Sequence, residues 1–273
     1  MSQAEAIERE PLLLGRALAD GVRLWTLNRP EARNALSTEL MSELEAAIAA
    51  AADDPAVRVI ILAAAGPAFC SGHDLRELRA HPEQAFQERV FEQCARLMLA
   101  LLRLGKPVVA RVQGTATAAG CQLVATCDLA VASTEARFAT PGVNIGLFCS
   151  TPMVALSRAV GRKAALEMLL TGETIDAETA RRIGLVNRVV SPDRLEAEAL
   201  RLAGTIAEKP AAVVALGKEA FYRQVEMEVE SAYAYTARVM AENMMAREAA
   251  EGIDAFLDKR APRWGSDGAS EAG

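Results

Sequence analysis

The chain has 273 residues, of which 51% are hydrophobic and 24% are charged, and its formal net charge is -6. This length suits one large domain, or a core domain with a smaller appendage, and the composition is that of a globular chain with a substantial core. The acidic balance argues against a general nucleic-acid surface, and two histidines cannot form a His-rich metal site. We therefore expect neither a nucleic-acid partner nor a metal.

Targeting and membrane signals are not expected either. The first ten residues contain four charges and no apolar segment, so we expect no signal peptide. Apolar runs stay shorter than the ~18 residues that a membrane span needs. The five cysteines are odd in number and lack Cys-x-x-Cys pairing, which favours reduced, mostly buried thiols over metal or redox roles. A cytoplasmic location without a membrane partner follows as an expectation.

Strand-like and helix-like patterns alternate along the N-terminal half. Alternating polarity predicts a half-buried strand over 22–27, and Ser37 is the expected N-cap of a helix over 38–52. A β-branched run predicts a strand over 57–62 that is buried on both faces. The patterns then predict a helix over 84–104, a strand over 108–112, a helix from about residue 119 and a strand over 129–132. This recurrence favours an α/β fold with crossover connections.

Helical patterns dominate the C-terminal part, over 151–256, with one strand-like piece near 184–190. A hinge is expected between Gly204 and Pro210. The expected division is a core over 1–204, a helical region over 205–262 and a tail over 263–273. The last nine residues are small and polar, so we expect the tail to be disordered.

Two glycine-containing loops, within 68–75 and 114–120, lie where a predicted strand ends and a helix begins. Backbone N–H groups that a helix start leaves unpaired can point at one anion. Two such donors on one oxygen would form an oxyanion hole. On spacing alone, a pair of tight strand-to-helix turns is the more common interpretation.

Five ordered motifs resemble the enoyl-CoA hydratase/isomerase (crotonase) family. They lie at 27–36, 69–75, 114–128, 170–186 and 251–260, and the resemblance covers about residues 12–262. It implies the crotonase-like spiral, an α/β fold of repeated strand-strand-helix units. It also implies that the C-terminal helical region packs on a neighbouring subunit, in a homotrimer or a dimer of trimers.

The resemblance puts the family's two oxyanion donors on the backbone N–H groups of His73 and Ala119. The two glutamates of the hydratases fall on Gln122 and Gly142, and an aspartate of related isomerases and dehalogenases falls on Ser150. A glutamine amide does not exchange a proton usefully near neutral pH. Hydration by the usual route should therefore lose ~10²-fold or more for each missing group. Within the family, the motifs resemble a branch that likewise lacks the glutamate pair.

A coenzyme A thioester is the implied substrate or ligand, with no tightly bound cofactor. The positions expected to contact it are Arg29, Arg33, Ala35, Ser71, Asp74, Leu75, Phe256 and Lys259. Phe256 would pack on the adenine, and Lys259, one turn later on the same helical side, would meet the phosphates. For each arginine, a solvated surface role is an equal alternative. The apolar side chains at 75, 78, 91, 147 and 148 could line an acyl tunnel, although core packing is the stronger expectation for them.

Several functions stay open at this point. The first is an enzyme of the hydratase/isomerase type whose protons are handled by His73, by Asp74, by the Gln122 amide through water, or by the substrate. The second is a catalytically silent acyl-CoA-binding protein, and other acyl-CoA reactions, isomerisation or thioester hydrolysis, also remain. An assembly protein that binds no coenzyme A is a distant third. The His73 imidazole could simply cover the pocket mouth. A nucleophile at Cys149 or Ser150 would need an activating base, and the sequence shows none nearby.

Overall fold

The computed structural model of this chain describes residues 10–264. Its strands are β1 (Leu13–Ala17), β2 (Val22–Leu27), β3 (Val59–Ala64), β4 (Ala68–Cys70), β5 (Val108–Val112), β6 (Thr115–Thr117), β7 (Leu129–Ser133), β8 (Arg137–Ala139), β9 (Ile175–Asp176) and β10 (Arg188–Val190). Its helices are α1 (Thr38–Asp53), α2 (Leu75–Ala80), α3 (Gln84–Arg103), α4 (Ala119–Thr126), α5 (Ser150–Ala159), α6 (Arg162–Thr171), α7 (Ala177–Ile183), α8 (Leu195–Ala207), α9 (Ala211–Gln224), α10 (Val229–Met244) and α11 (Arg247–Leu257).

The strands form two sheets. The larger sheet has the order β1-β2-β3-β5-β7-β10 and the smaller has the order β4-β6-β8-β9. Apart from the antiparallel pairs β1–β2 and β8–β9, all pairings are parallel. The chain passes from the larger to the smaller sheet at β3–β4, β5–β6 and β7–β8, and helices follow each time. The predicted α/β spiral of strand-strand-helix units is confirmed.

Strand β3 lies at the centre of the fold, and all six of its residues are buried. Ile60, Leu62 and Ala64 belong to the main core cluster, which includes residues of α1 and α3. The alternate residues of the strand pack into a second cluster with α8. The prediction that this strand is buried on both faces is confirmed. Its predicted range of 57–62 begins two residues early, because a turn with a hydrogen bond from the Val57 N–H to the Asp54 carbonyl precedes the strand.

The other N-terminal predictions agree closely with the structure. Strands over 22–27 and 108–112 are observed, and the helix predicted over 84–104 ends at Arg103. The Ser37 side chain accepts a hydrogen bond from the Leu40 N–H and caps α1 as expected. All five cysteines are free and buried.

The expected boundary after residue 204 lies inside helix α8, which continues to Ala207 and packs on the larger sheet. The helical path breaks at 208–210 instead, because Pro210 precedes α9 and lacks the N–H that would continue a helix. The tail expected over 263–273 lies outside the described residues except for 263 and 264. The first nine residues, which belong to the segment considered for a signal peptide, also lie outside them.

Within residues 10–264, no helix combines the length and the apolar character needed to cross a bilayer. In the same part of the chain, no group of three or more His, Cys, Asp or Glu side chains is arranged to hold a metal ion.

Candidate active site

The two glycine-containing loops lie against each other at Gly72 and Ala118. A Cβ atom added to Gly72, whose φ is +100°, would lie 3.0 Å from the Ala118 Cβ and 3.5 Å from the Ala119 nitrogen. The Thr117 hydroxyl donates a hydrogen bond to the Ser71 carbonyl over 3.1 Å. The end of the first loop and the first residue of α4 are therefore in direct contact.

The backbone N–H groups of His73 and Ala119 donate no hydrogen bond to any group within residues 10–264. Ala119 is the first residue of α4, and a helix leaves its first N–H groups unpaired. Ala118, just before it, has φ 51° and ψ -119°, a conformation that costs about 1–3 kcal/mol for a residue with a side chain. The Ala118 N–H is held by the Ala139 carbonyl at 2.9 Å. This strained residue thus keeps an unpaired donor beside the first loop.

Asn34 fixes the segment that precedes α1, and sequence reasoning missed it. The side chain is fully buried, and its oxygen accepts the Arg29 N–H at 2.8 Å. Its amide nitrogen donates to the carbonyls of Ala65 and Ala68, each at 2.8 Å. The only local signal is that asparagine tolerates the left-handed backbone found here, where φ is 54°.

Arg29 and Asp74 form an ion pair, with 2.7 Å between Nη1 and Oδ2. Arg29 also donates to the Ala35 carbonyl, and Asp74 accepts the N–H groups of Arg76 and Glu77 at the start of α2. Burial opposes ionisation of Asp74, but the hydrogen bonds from Arg29 and from these N–H groups outweigh it and lower the pKa of the carboxyl. Both side chains, expected to contact coenzyme A, are thus paired within the protein.

We expect Asp74→Ala to lower the free energy of unfolding by about 2–3 kcal/mol at pH 7, because it removes a helix cap and leaves Arg29 unpaired. The pKa of Asp74 is lowered on folding. This stability is therefore present above the ordinary aspartate pKa of about 3.9 and is lost as the pH falls through the folded-state value. Urea denaturation at pH 7 and pH 2.5 measures both values. Asp74→Asn, which keeps a capping oxygen, should recover about 1 kcal/mol. An equal loss at both pH values would contradict the ion-pair contribution.

Four more of the expected coenzyme A contacts lie on the first loop or on the segment before α1 that contacts it: Arg33, Ala35, Ser71 and Leu75. Arg33 is exposed, and its carbonyl accepts the Ser71 N–H at 3.1 Å. Leu75 is 50% exposed at the start of α2. A parallel bridge between Leu36 and His73 brings the two segments together.

Phe256 and Lys259 lie at the C-terminal end of the described chain, on or just after α11. Phe256 is 82% exposed, so a single chain does not pack it against the loops at Gly72 and Ala118. Helix α11 packs on α10, and the Trp264 ring lies over Gly252. Within one protomer, these two expected ligand contacts are therefore separate from the others.

Gln122 lies on α4, one turn after Ala119, and is only 4% exposed. Its Oε1 lies 3.9 Å from the Cys94 Sγ. Burial raises the pKa of the Cys94 thiol to about 12, and the neighbouring Cys70 adds to this effect. Neither side chain exchanges a proton readily near neutral pH.

Gly142 has no room for a side chain. A Cβ atom there would lie 2.7 Å from the Leu147 carbonyl oxygen and 2.9 Å from the Cys149 Sγ. The Leu147 N–H donates to the Gly142 carbonyl over 2.9 Å, which folds the following loop onto this residue. The position that resembles the second glutamate of hydratases is therefore closed by the backbone as well as lacking a carboxylate.

The hypothesis of a nucleophile at Cys149 or Ser150 gains no support from their surroundings. The exposed Ser150 hydroxyl lies 3.4 Å from the Phe148 carbonyl, which cannot act as a base. Burial raises the pKa of Cys149, although the Gly142 N–H opposes this. A raised pKa disfavours the thiolate, the form that reacts as a nucleophile.

The His73 imidazole lies inside the site. Both ring nitrogens are buried, and neither has a hydrogen-bond partner within residues 10–264. The ring meets Phe91 edge-on, with 5.3 Å between ring centroids. Burial lowers the pKa of His73, opposed by the Leu36 carbonyl and the Glu77 carboxylate. Histidine in this state is neutral at pH 7.

A groove of about 460 Å³ is lined by α3 residues between Gln84 and Ala95, Phe91 among them, and by Thr151 in the first turn of α5. Core packing, the stronger expectation for five apolar side chains, is wrong for Leu75, Leu147 and Phe148, which are 50%, 54% and 43% exposed. They stay exposed because the loops that carry them lie at the surface. Apolar area therefore remains available near the site.

The chain is similar to proteins of known sequence and structure. It is 48% identical over 257 residues to "Enoyl-CoA hydratase domain-containing protein 3, mitochondrial" of Rattus norvegicus, which covers 94% of this chain and 86% of the relative. A crystal structure of enoyl-CoA hydratase from Mycobacterium smegmatis has a TM-score of 0.92 at 56% identity, and covers 93% of this chain and 99% of that chain. The human enoyl coenzyme A hydratase domain-containing protein 3 has a TM-score of 0.90 at 48% identity, with 93% and 100% covered.

These names contradict the predicted cytoplasmic location, which is therefore wrong by this comparison. The relatives from Mus musculus, Xenopus laevis and Homo sapiens carry the same mitochondrial name as the Rattus norvegicus protein. Free thiols are compatible with the cytoplasm and with the inside of an organelle alike, so composition does not decide between the two compartments.

The family resemblance predicted from five motifs extends over the whole fold. The profile of the family described as "Enoyl-CoA hydratase/isomerase" matches residues 18–267, which is most of the chain. The chain belongs to the enoyl-CoA hydratase/isomerase family.

Proposed function

We propose that this chain binds an acyl-coenzyme A thioester and polarises its carbonyl between the backbone N–H groups of His73 and Ala119. The observation that carries the proposal is the pair of unpaired N–H groups on two loops that touch at Gly72 and Ala118. Donors held ready for a developing oxyanion stabilise it without reorganising during the reaction. The strain at Ala118 supports a functional role, because strained residues concentrate at such sites.

Ordinary two-carboxylate hydration is the reaction that the site supports least. Gln122 cannot transfer a proton, Gly142 is closed to any side chain, and Ser150 has no base beside it. Each missing acid-base group costs about 10²-fold or more in rate. The proposed enzyme is therefore an atypical hydratase/isomerase-type protein whose central step is stabilisation of an enolate.

A catalytically silent acyl-CoA-binding protein is the second candidate, and the same absence of carboxylates favours it. Isomerisation remains compatible with an oxyanion hole and one proton-transfer group. Thioester hydrolysis is less well supported, because the pKa of Cys149 is raised by burial and a thiol is a poor nucleophile in that form. Turnover of any acyl-CoA would rule out the silent protein.

The C-terminal helices, proposed as a subunit-contact region over 205–262, support a homotrimer or a dimer of trimers. Helix α10 buries no residue within the single chain. Large apolar side chains exposed on or beside α9, α10 and α11 are Phe221, Val225, Val229, Tyr233, Met240, Met244, Met245, Ile253, Phe256 and Leu257. Exposed apolar area of this extent is typical of subunit interfaces. Light scattering should give the mass of three or six chains, and a monomer would overturn this assembly.

Calorimetric titration with free coenzyme A, butyryl-CoA and decanoyl-CoA tests the proposed function. We expect acyl-CoA binding to the native protein and at least a tenfold weaker affinity for Gly72→Ala, whose new Cβ would strain a φ of +100° and press on Ala118. The matched control is Gly161→Ala, since a Cβ at Gly161 meets nothing within 4 Å. If the native protein binds none of these compounds, the proposal is wrong.

A further inference from the structure

The His73 imidazole is a buried polar group whose ring nitrogens form no hydrogen bond of good geometry, although the Leu36 carbonyl lies near enough to favour the protonated ring. Neither Nδ1 nor Nε2 makes a hydrogen bond within residues 10–264. Buried polar atoms of this kind cost stability and are few in native proteins, so each one needs an explanation. The other histidine, His81, lies at the end of α2, where its ring packs on Phe86. Within residues 10–264, the Arg58 Nε and the Thr140 Oγ1 are also buried without a partner, but His73 is the residue that lies beside the proposed oxyanion donors and leaves two polar atoms unpaired.

The position of the ring relates it to the acyl part of a bound thioester. The imidazole belongs to the same residue as one proposed N–H donor, which puts it on the first loop beside that donor. Its ring edge meets Phe91, and Phe91 lines the groove between α3 and α5. An acyl chain that runs from the proposed donors toward Phe91 would therefore pass beside the imidazole.

We propose that the His73 imidazole is a catalytic residue that takes a proton from the α-carbon of the bound acyl thioester. This inference rests on the proposed function. The ring nitrogen accepts the α-proton, the C–H electron pair forms a double bond to the carbonyl carbon, and the carbonyl π pair moves onto the oxygen. The His73 and Ala119 N–H groups hold that oxyanion. Return of a proton from the imidazolium to the α-carbon restores the thioester.

Other candidate bases near the ring are already engaged. Asp74 is bound by Arg29 and by the start of α2, and the Glu77 carboxylate accepts hydrogen bonds from the Thr38 N–H and hydroxyl. The Gln122 amide does not titrate. The His73 imidazole, neutral at pH 7, remains.

The charged surroundings fit this assignment. Burial lowers the pKa of His73, so the ring can accept a proton at pH 7. Glu77 is the acidic residue that favours the imidazolium, and the opposite charges of the Arg29–Asp74 ion pair offset each other. An enolate formed beside the ring would favour the imidazolium further, because opposite charges attract strongly in a buried site.

Exchange of α-protons tests the step without knowledge of the natural substrate. Butyryl-CoA is incubated in D₂O with the native protein, and deuterium at the α-carbon is followed by mass spectrometry. We expect exchange with the native protein and at least a 10²-fold slower rate for His73→Leu and His73→Asn. Both variants keep the backbone N–H, so butyryl-CoA affinity should change only a few-fold. His81→Leu and His81→Asn are the matched controls and should exchange at the native rate.

The Tm of the His73→Leu variant and the pH dependence of the exchange rate give two independent measurements. His73→Leu should unfold at or above the native Tm, because it removes an unpartnered polar ring from a buried site. The native exchange rate should rise as the pH increases through a value below the ordinary histidine pKa and then level off. If the native protein binds butyryl-CoA but shows no exchange, or if both His73 variants exchange at the native rate, this proposal is overturned while the proposed function stands. If the native protein binds neither butyryl-CoA nor any other acyl-CoA, this proposal and the proposed function are both overturned.

Discussion

Gly120→Ala should destabilise the protein by about 3 kcal/mol and abolish measurable acyl-CoA binding. A Cβ at this position in α4 would lie 2.1 Å from the Cys70 carbonyl oxygen and 2.8 Å from the Cys70 Cβ. These contacts are far inside van der Waals distance, and overpacking of a buried site costs about 1–3 kcal/mol or more. Relief requires α4 to move away from the first loop. That movement carries the Ala119 N–H away from Gly72 and separates the two proposed donors.

The same substitution at Gly204 provides the control. Gly204 lies within α8, and a Cβ there meets nothing within 4 Å. Gly204→Ala should raise the free energy of unfolding by about 0.5–1 kcal/mol, because alanine favours a helix more than glycine does. Urea denaturation gives both values, and calorimetry with butyryl-CoA gives the affinities. A Gly120→Ala protein as stable as Gly204→Ala would contradict the close packing of α4 on Cys70.

Gln122→Glu should make stability depend on pH, with a loss about 2–3 kcal/mol larger at pH 8 than at pH 4. Gln122 is 4% exposed and its Oε1 faces the Cys94 thiol rather than a cation, so a carboxyl there would be buried against a neutral group. Burial of this kind raises a glutamate pKa above its ordinary value of about 4.3. The folded state then binds more protons than the unfolded state between the two pKa values. Stability therefore falls as the pH rises through that range.

Gln122→Met is the control, because methionine has a similar volume and no charge. The difference between the Glu and Met variants at pH 4 and pH 8, measured by urea denaturation, isolates the carboxyl. A constant difference would show that the new carboxyl is solvated or paired. We also expect Gln122→Glu to leave crotonyl-CoA hydration slow, since Gly142 cannot carry the second glutamate without displacing Leu147 and Cys149.

Much of the fold is predictable because its signals are local. The alternation over 22–27 and the Ser37 cap depend on neighbouring residues, and both are observed. The strands of the smaller sheet have two or three residues each, too few for any periodic pattern. They exist because pairing with one another, parallel between β6 and β8 and antiparallel between β8 and β9, supplies their hydrogen bonds. That pairing joins residues far apart in the sequence.

The expected site residues likewise divide into those whose placement the sequence predicts and those whose placement depends on distant contacts. His73, Ala119 and Gln122 lie near one another because their loops follow adjacent parallel strands, an arrangement that the motifs imply. The ion pair of Arg29 is not predictable in this way, because its guanidinium binds Asp74, which lies 45 positions away in the sequence. A lone arginine in a sequence carries no sign of its partner. The separation of Phe256 from the first loop likewise depends on how α11 packs.

The sequence by itself determined the family, the main strands and helices of the N-terminal half, and the absence of a carboxylate at Gln122, Gly142 and Ser150. Residue type and spacing suffice for these, because they depend on short segments. Only the tertiary structure decided that Gly142 is closed, that Asp74 is engaged by Arg29 and that the His73 imidazole is buried without a partner. Each depends on which atoms distant segments place within a few ångströms. Local sequence does not encode such contacts, and the proposed proton transfer depends on them.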